Sequence, residues 1–343
     1  MFTCALFDSR SEHDSILTMV FKNQMIRIVF IFIFLFIILS IYLLNEIQRL
    51  NEIKSKEKII ENNFKSVKNK TRVHIVPNIV HYILFDDCLI DFGHFVSILS
   101  VLQNQKPEVI YFHCNCRQLS GDYYQRAISL ANITKTNIIV QPIEKTKIHG
   151  HKSNKTLSNQ RVFDIIKIQV LKRFGGIYLD RDVYVVRSLN VCRKNNTTVQ
   201  WDDTKSLRTH LIISGKDSQF LNVLLNSYLD YRPDISHYSW REVQKKRILP
   251  KYPKLVHRVK KFGADLSVVC PLVYTQYNKK WKKDFFAIRL NIRGNQVMDG
   301  CFNGTPPLVT RFDEKVITEL DTTFGEMNRN VFDFERNVII FQI

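Results

Sequence analysis

Apolar positions change rhythm along the chain, and each change marks a different kind of element. Residues 28–44, IVFIFIFLFIILSIYLL, run for seventeen residues without a charge. That is the short end of the length that spans a bilayer as a helix, and the run lacks the polar stripe of a helix at a protein surface. Residues 45–73 are polar and basic, with Ile47, Leu50, Ile53, Ile60 and Phe64 at loosely helical spacing. This suits a stem, whose apolar positions could also drive a homodimer through a weak coiled coil. From Ile75 onward, short apolar runs at 79–85, 108–114 and 137–143 read as strands, and 94–105 and 123–131 read as helices. The alternation predicts an α/β fold, a mostly parallel sheet flanked by helices, with ligands at the carboxyl ends of the strands. The expected division is a tail over 1–27, a transmembrane anchor over 28–44, a stem over 45–73 and a catalytic domain over 74–343.

The stretch NQRVFDIIKIQVLKRF, residues 159–174, carries Val162, Ile165, Ile166, Val170 and Leu171 at helical spacing. Gly175 can take the left-handed conformation that ends a helix, and Gly176 lets the chain swing directly into the strand IYLD. Asp180 and Asp182 then lie one residue apart in an apolar, β-branched run, where charge is expensive to bury. On a strand they share a face while Arg181 takes the other. A hard divalent cation, Mn2+ or Mg2+, is the simplest relief for two carboxylates in one small space. A salt-bridged edge strand is the plainer reading, but Arg181 faces away and cannot serve both. Asp164 and Lys167, three apart on the preceding helix, share a face beside the same crevice. This set suits a nucleotide sugar: a metal on Asp180 and Asp182 for the diphosphate, Asp164 for sugar hydroxyls and Lys167 for added positive charge.

Composition narrows the partners. The 343 residues are 45% hydrophobic, enough for a substantial core. A formal charge of +18 favours anionic partners, yet no nucleic-acid module signature surrounds the basic residues. Six N-x-[ST] sequons, at Asn69, Asn132, Asn154, Asn195, Asn196 and Asn303, all follow the apolar run, where chance would give roughly two or three. Six of the seven cysteines also follow it. Cys114 and Cys116 are too close to pair easily and are expected to reach separate partners. Although the basic flanks of the run point mildly the other way, sequons and cysteines together predict a short cytosolic tail and a lumenal domain.

The segment FDIIKIQVLKRFGGIYLDRDVYVVRSL resembles the signature of the DXD-containing glycosyltransferase family 32 proteins, which include α-1,4-galactosyltransferases, α-1,4-N-acetylglucosaminyltransferases and initiating mannosyltransferases. VPNIVHYILF, FLNVLLNSYLDY, YPKLVHRV, FFAIRLNIR and LDTTFGEMNR extend the similarity over most of residues 76–330. The resemblance implies a GT-A-like fold and a single-pass type II protein of the Golgi membrane. It also implies Mn2+, a nucleotide-sugar donor with UDP favoured over GDP, a glycan or glycolipid acceptor, and transfer with retention of configuration. Carried over residue by residue, Asp180 and Asp182 hold the metal, and Asp164, Lys167, Gly176, Tyr178 and Asp180 meet the donor. Lys167 departs from the arginine usual at its position, and Arg289 stands where an A-I-H segment has histidine. Such departures keep a second reading in view, a membrane-anchored inactive homologue that binds glycans or partner transferases. YLDRDV also fits a haloacid-dehalogenase-type phosphatase locally, but that class needs a later lysine and an acidic pair in strand context, and WDD and GKD lack such context.

Overall fold

The computed structural model describes residues 74–143, 159–200, 207–229, 248, 251–260, 262–263, 269–275, 277–293, 296–297, 312 and 314–340, with scattered positions between 35 and 48. The chain divides into two units, Met1–Arg72 and Val73–Ile343. In the first, residues 35–36 and 39–44 of the expected anchor are helical and largely exposed, and the remainder of that span lies outside the described residues. So do the tail and nearly all of the stem. Among the described residues no helix is long and apolar enough to cross a membrane.

The second unit runs β1 (Ile79–Leu84), α1 (Phe92–Asn104), β2 (Val109–Cys114), α2 (Asp122–Ile133), β3 (Asn137–Pro142), α3 (Asn159–Phe174), β4 (Gly176–Leu179), β5 (Val183–Val185), β6 (Thr197–Gln200), β7 (Arg208–Ser214), α4 (Gln219–Leu229), β8 (His257–Val259), β9 (Phe262–Gly263), α5 (Trp281–Asp284), β10 (Ala287–Arg289), β11 (Ile292–Arg293), β12 (Gln296–Val297), α6 (Glu314–Glu319) and α7 (Thr323–Ile340). The main sheet has the order β3-β2-β1-β4-β7-β6-β8. Its first four strands are parallel, whereas β7 is antiparallel to both β4 and β6. The expected strands and helices of the first half appear within a residue or two of their sequence bounds.

Strand alternation feeds two cores. Val80, Tyr82, Leu84, Ile177 and Leu179 join residues of α1, α2 and α7 on one side. Ile83, Phe85, Tyr178 and Ile212 join residues of α3 and α4 on the other. A sheet covered on both faces accounts for the almost uniformly apolar strands. From β3 at one edge the chain returns through α3 to β4 beside β1, so the strand order reverses there. In such sheets a crevice opens at that reversal, beyond the carboxyl ends of the two strands.

Two glycines set the approach to β4. Gly175 (φ 65°) donates its N–H to the Leu171 carbonyl at 2.8 Å and ends α3 as expected. Gly176 (φ 119°) has no room for a side chain, since a Cβ there would lie 2.6 Å from the Ile79 carbonyl oxygen and 2.8 Å from His81 Nε2. His81 Nε2 donates to the Gly175 carbonyl at 2.7 Å, leaving Nδ1 to accept from His113 Nε2 at 3.0 Å. It is a satisfied core histidine, and burial lowers its pKa to about 4.

Past β4 the chain is braced from α1. Ser97 Oγ donates to the Val183 carbonyl at 2.6 Å, Ser100 Oγ accepts from Val185 N at 2.9 Å, and Asn104 Nδ2 donates to the Val185 carbonyl at 2.8 Å. Three side chains of one helix face thus replace a neighbouring strand along this edge of β5. Its other edge pairs antiparallel with β10, placing Arg289 opposite Val183.

Of the two neighbouring cysteines expected to reach separate partners, one does and the other does not. Cys116 bonds Cys88, while Cys114 is a buried free thiol, as is Cys192. Cys270 is also disulfide-bonded. Asn132 and Asn196 are exposed and Asn195 half-buried, but the hydroxyl residues Thr197 and Thr198 of the latter two sequons are buried. Asn69, Asn154 and Asn303 lie outside the described residues.

Candidate active site

The strand that carries the aspartates stops one residue earlier than expected. β4 ends at Leu179, and Asp180–Arg181–Asp182 form a tight turn closed by the Val183 N–H on the Asp180 carbonyl at 3.1 Å. The turn is pinned at both ends: Asp180 N donates to the His210 carbonyl of β7, and Leu290 N donates to the Asp182 carbonyl, each at 2.8 Å. Arg181 faces away from the pair and meets Asp87, beyond the end of β1, at 2.7 Å. The turn therefore bridges β1 and β4 where the strand order reverses.

Both carboxylates turn to the same side, and two basic side chains meet them. Asp180 Oδ1 accepts from the Tyr178 hydroxyl at 2.6 Å and lies 3.0 Å from Lys167 Nζ. Asp180 Oδ2 lies 3.7 Å from Arg289 Nη2. Arg289 Nε is 3.3 Å from each oxygen of Asp182. Burial pushes the Asp180 pKa up, but Lys167 and Arg289 outweigh it and hold the group well below the usual carboxylate range. For Asp182 burial prevails, aided by the Asp180 charge and opposed by Arg289, and the pKa rises.

This geometry tests the expected divalent ion. All four carboxylate oxygens of the pair already face a hydroxyl, an ammonium or a guanidinium. No group of three or more His, Cys, Asp or Glu side chains suited to a metal gathers among the described residues. A divalent ion about 4 Å from a guanidinium is repelled by about 8 kcal/mol at an effective dielectric of 20. As arranged, the donor set does not fit Mn2+ or Mg2+, and the cation between Asp180 and Asp182 is Arg289.

The remaining expected donor residues fall behind this front. Asp164 is buried; its Oδ1 accepts from Thr209 Oγ1 at 2.8 Å and lies 3.5 Å from Lys167 Nζ, while its Oδ2 accepts from the Tyr228 hydroxyl at 2.9 Å. Through the 3.5 Å contact it helps to hold Lys167 in place. Lys167, also buried, links Asp164 to Asp180 and sits 4.9 Å over the Tyr178 ring. Tyr178 is a buried support for Asp180. Gly176 stands at the amino end of β4, roughly 13 Å of strand from Asp180, where it packs against β1.

Sequence reasoning missed Thr209, Tyr228 and His210, because only the fold brings β7 and α4 to α3. His210 Nε2 is buried with no hydrogen-bond partner among the described residues. Burial, with Arg289 adding to it, lowers its pKa to about 3.

Among solved structures, the galactosyltransferase LgtC in complex with donor and acceptor sugar analogs is 13% identical, with 74% of this chain and 95% of that chain covered at a TM-score of 0.40. The glycosyltransferase GlyE of Streptococcus pneumoniae is 9% identical, with coverages of 76% and 64% and a TM-score of 0.42. Glucan organizing enzyme 1 of Cryptococcus neoformans var. grubii serotype A is 25% identical over 178 residues. That match spans 46% of this chain and 46% of the fungal protein, under half the length of either. Residues 97–199, which reach from α1 through the Asp180–Asp182 turn to β6, match the family model described as the glycosyltransferase sugar-binding region containing a DXD motif. Across residues 97–199 the chain is therefore similar to the sugar-binding region of the DXD-motif glycosyltransferases.

Proposed function

We propose that this protein transfers a hexose or N-acetylhexosamine from a nucleotide sugar, UDP-linked rather than GDP-linked, to a glycan or glycolipid acceptor, with retention of configuration. One observation carries the reading: the Asp180–Arg181–Asp182 turn stands at the strand-order reversal, within the segment that matches the sugar-binding family model. In this reading Arg289 and Lys167 neutralise the turn and present positive charge to the departing nucleoside diphosphate. Asp164 and Tyr178 hold Lys167 and Asp180 at fixed places, so little reorganisation accompanies bond breaking. Residues 28–44 anchor the chain in the Golgi membrane as a single-pass type II protein, and the stem favours a homodimer. The sequons and the Cys88–Cys116 disulfide support the lumenal placement of residues 74–343.

A second reading has its own observation. An aspartate pair satisfied entirely within the protein suits a non-catalytic homologue that binds glycans or partner transferases. Incubating the purified full chain with UDP- and GDP-sugars and a glycan array separates the two. Nucleotide release coupled to sugar incorporation supports transfer; glycan capture with no turnover of any donor supports the binding protein.

A further inference from the structure

Building on the transfer reading, we propose that Arg289 takes the place of a divalent cation: its guanidinium, held between Asp182 and Asp180, is the fixed charge that meets the donor's diphosphate, and nucleoside diphosphates bind this chain without Mn2+ or Mg2+. The backbone sets Arg289 there. β10 pairs with β5 in the register Arg289↔Val183, and the next residue, Leu290, donates its N–H to the Asp182 carbonyl at 2.8 Å. The strand that carries the arginine is thereby tied to the turn that carries the aspartates.

Exposure gives the arrangement a direction. The Asp182 side chain is 5% exposed, that of Asp180 20% and that of Arg289 36%, so the acids lie behind and the arginine faces outward. Nε is used on Asp182 and Nη2 reaches Asp180 only at 3.7 Å. Nη1 has no partner among the described residues. A guanidinium offers five N–H donors in a planar fork that matches phosphate oxygens, and the 36% exposure of the Arg289 side chain leaves part of that fork open to a ligand. The aspartates then serve to orient an arginine rather than to coordinate an ion.

The test uses the purified full chain and two readouts. The first is the electron paramagnetic resonance signal of free Mn2+ titrated with chain; the second is calorimetric binding of UDP and of GDP in EDTA and in Mn2+. The wild type is expected to leave the free Mn2+ signal intact and to bind UDP or GDP in EDTA within about twofold of its affinity in Mn2+. R289A is expected to lose about tenfold or more in EDTA and to take up Mn2+, since it uncovers Asp182 and the Oδ2 of Asp180. R289K, which keeps the charge but not the fork, is expected to weaken nucleotide binding without admitting Mn2+, and it remains informative if R289A does not fold. Uptake of Mn2+ by the wild type, or nucleotide binding that vanishes in EDTA and returns with Mn2+, overturns the proposal while leaving the transfer reading standing. A folded wild type that binds neither nucleotide in either condition overturns the transfer reading and the proposal together.

Discussion

The Tyr178 hydroxyl donates to Asp180 Oδ1 at 2.6 Å across a single intervening residue, while its ring lies 4.9 Å from Lys167 Nζ. One side chain thereby orients both the acid that opens the turn and the cation that balances it. Tyr178→Phe keeps the ring and removes the donor. The expected result is a loss of about 1 kcal/mol in stability and a several-fold fall in nucleotide affinity, measured by denaturant unfolding and calorimetry. Unchanged affinity would show that Asp180 needs no such support.

Lys167 is the hub behind that contact, bonded to Asp180 at 3.0 Å, 3.5 Å from Asp164 and 3.4 Å from the Thr209 carbonyl. Lys167→Met leaves two carboxylates facing each other with little solvent. Breaking a buried pair of this kind costs about 3–5 kcal/mol, read as a lowered urea midpoint. A variant as stable as the wild type would mean that the acids find another partner.

Gly176 tests the packing of β4 against β1. With φ at 119° and a Cβ that would sit 2.6 Å from the Ile79 carbonyl oxygen, Gly176→Ala must shift a backbone and not a flexible side chain. A loss on the order of 3 kcal/mol is expected, against a neutral Gly→Ala at an open site. Thermal unfolding gives the comparison.

Several elements could be read from the sequence because their causes are local. The helix 159–174 was delimited to the residue, since its apolar spacing and the two glycines after it lie in one short stretch. Strands 79–84, 109–114 and 137–142 followed from apolar runs between turn residues. The aspartate pair was recognised from its spacing, but not its turn: pairing with β7 beyond Leu179 and with Leu290 sets that geometry, and both partners are distant in sequence. Arg289 was visible only as a departure from a family pattern. Its approach to Asp182, 107 residues away, depends on β5 pairing with β10, which neither short strand announces. For Asp164, helical spacing gives the right face but not the Thr209 and Tyr228 hydroxyls that enclose it.

Buried histidines make stability depend on acidity. His81 has its pKa lowered to about 4 and His94 and His210 to about 3, burial being the main cause for each, and His113 falls well below its usual value. The unfolded chain, with histidines near 6.5, binds more protons between those values than the folded chain does. Stability is therefore full above about pH 6.5 and declines as pH falls toward 4, at about 1.4 kcal/mol per unit for each histidine that remains neutral in the fold. Urea unfolding at pH 7.5, 6 and 5 should show a falling midpoint; a flat profile would mean that these side chains take up protons without unfolding.

Sugar release from the donor is the most direct measurement of the central claim that the Asp180–Asp182 turn is where a nucleotide sugar is bound and cleaved. UDP- and GDP-sugars, with and without glycan acceptors, are supplied to the wild-type full chain, D180N and D182N, with folding checked by a cooperative melt. The account predicts acceptor-dependent release by the wild type and a fall of about a hundredfold or more in both variants. Equal release by all three folded proteins would contradict it.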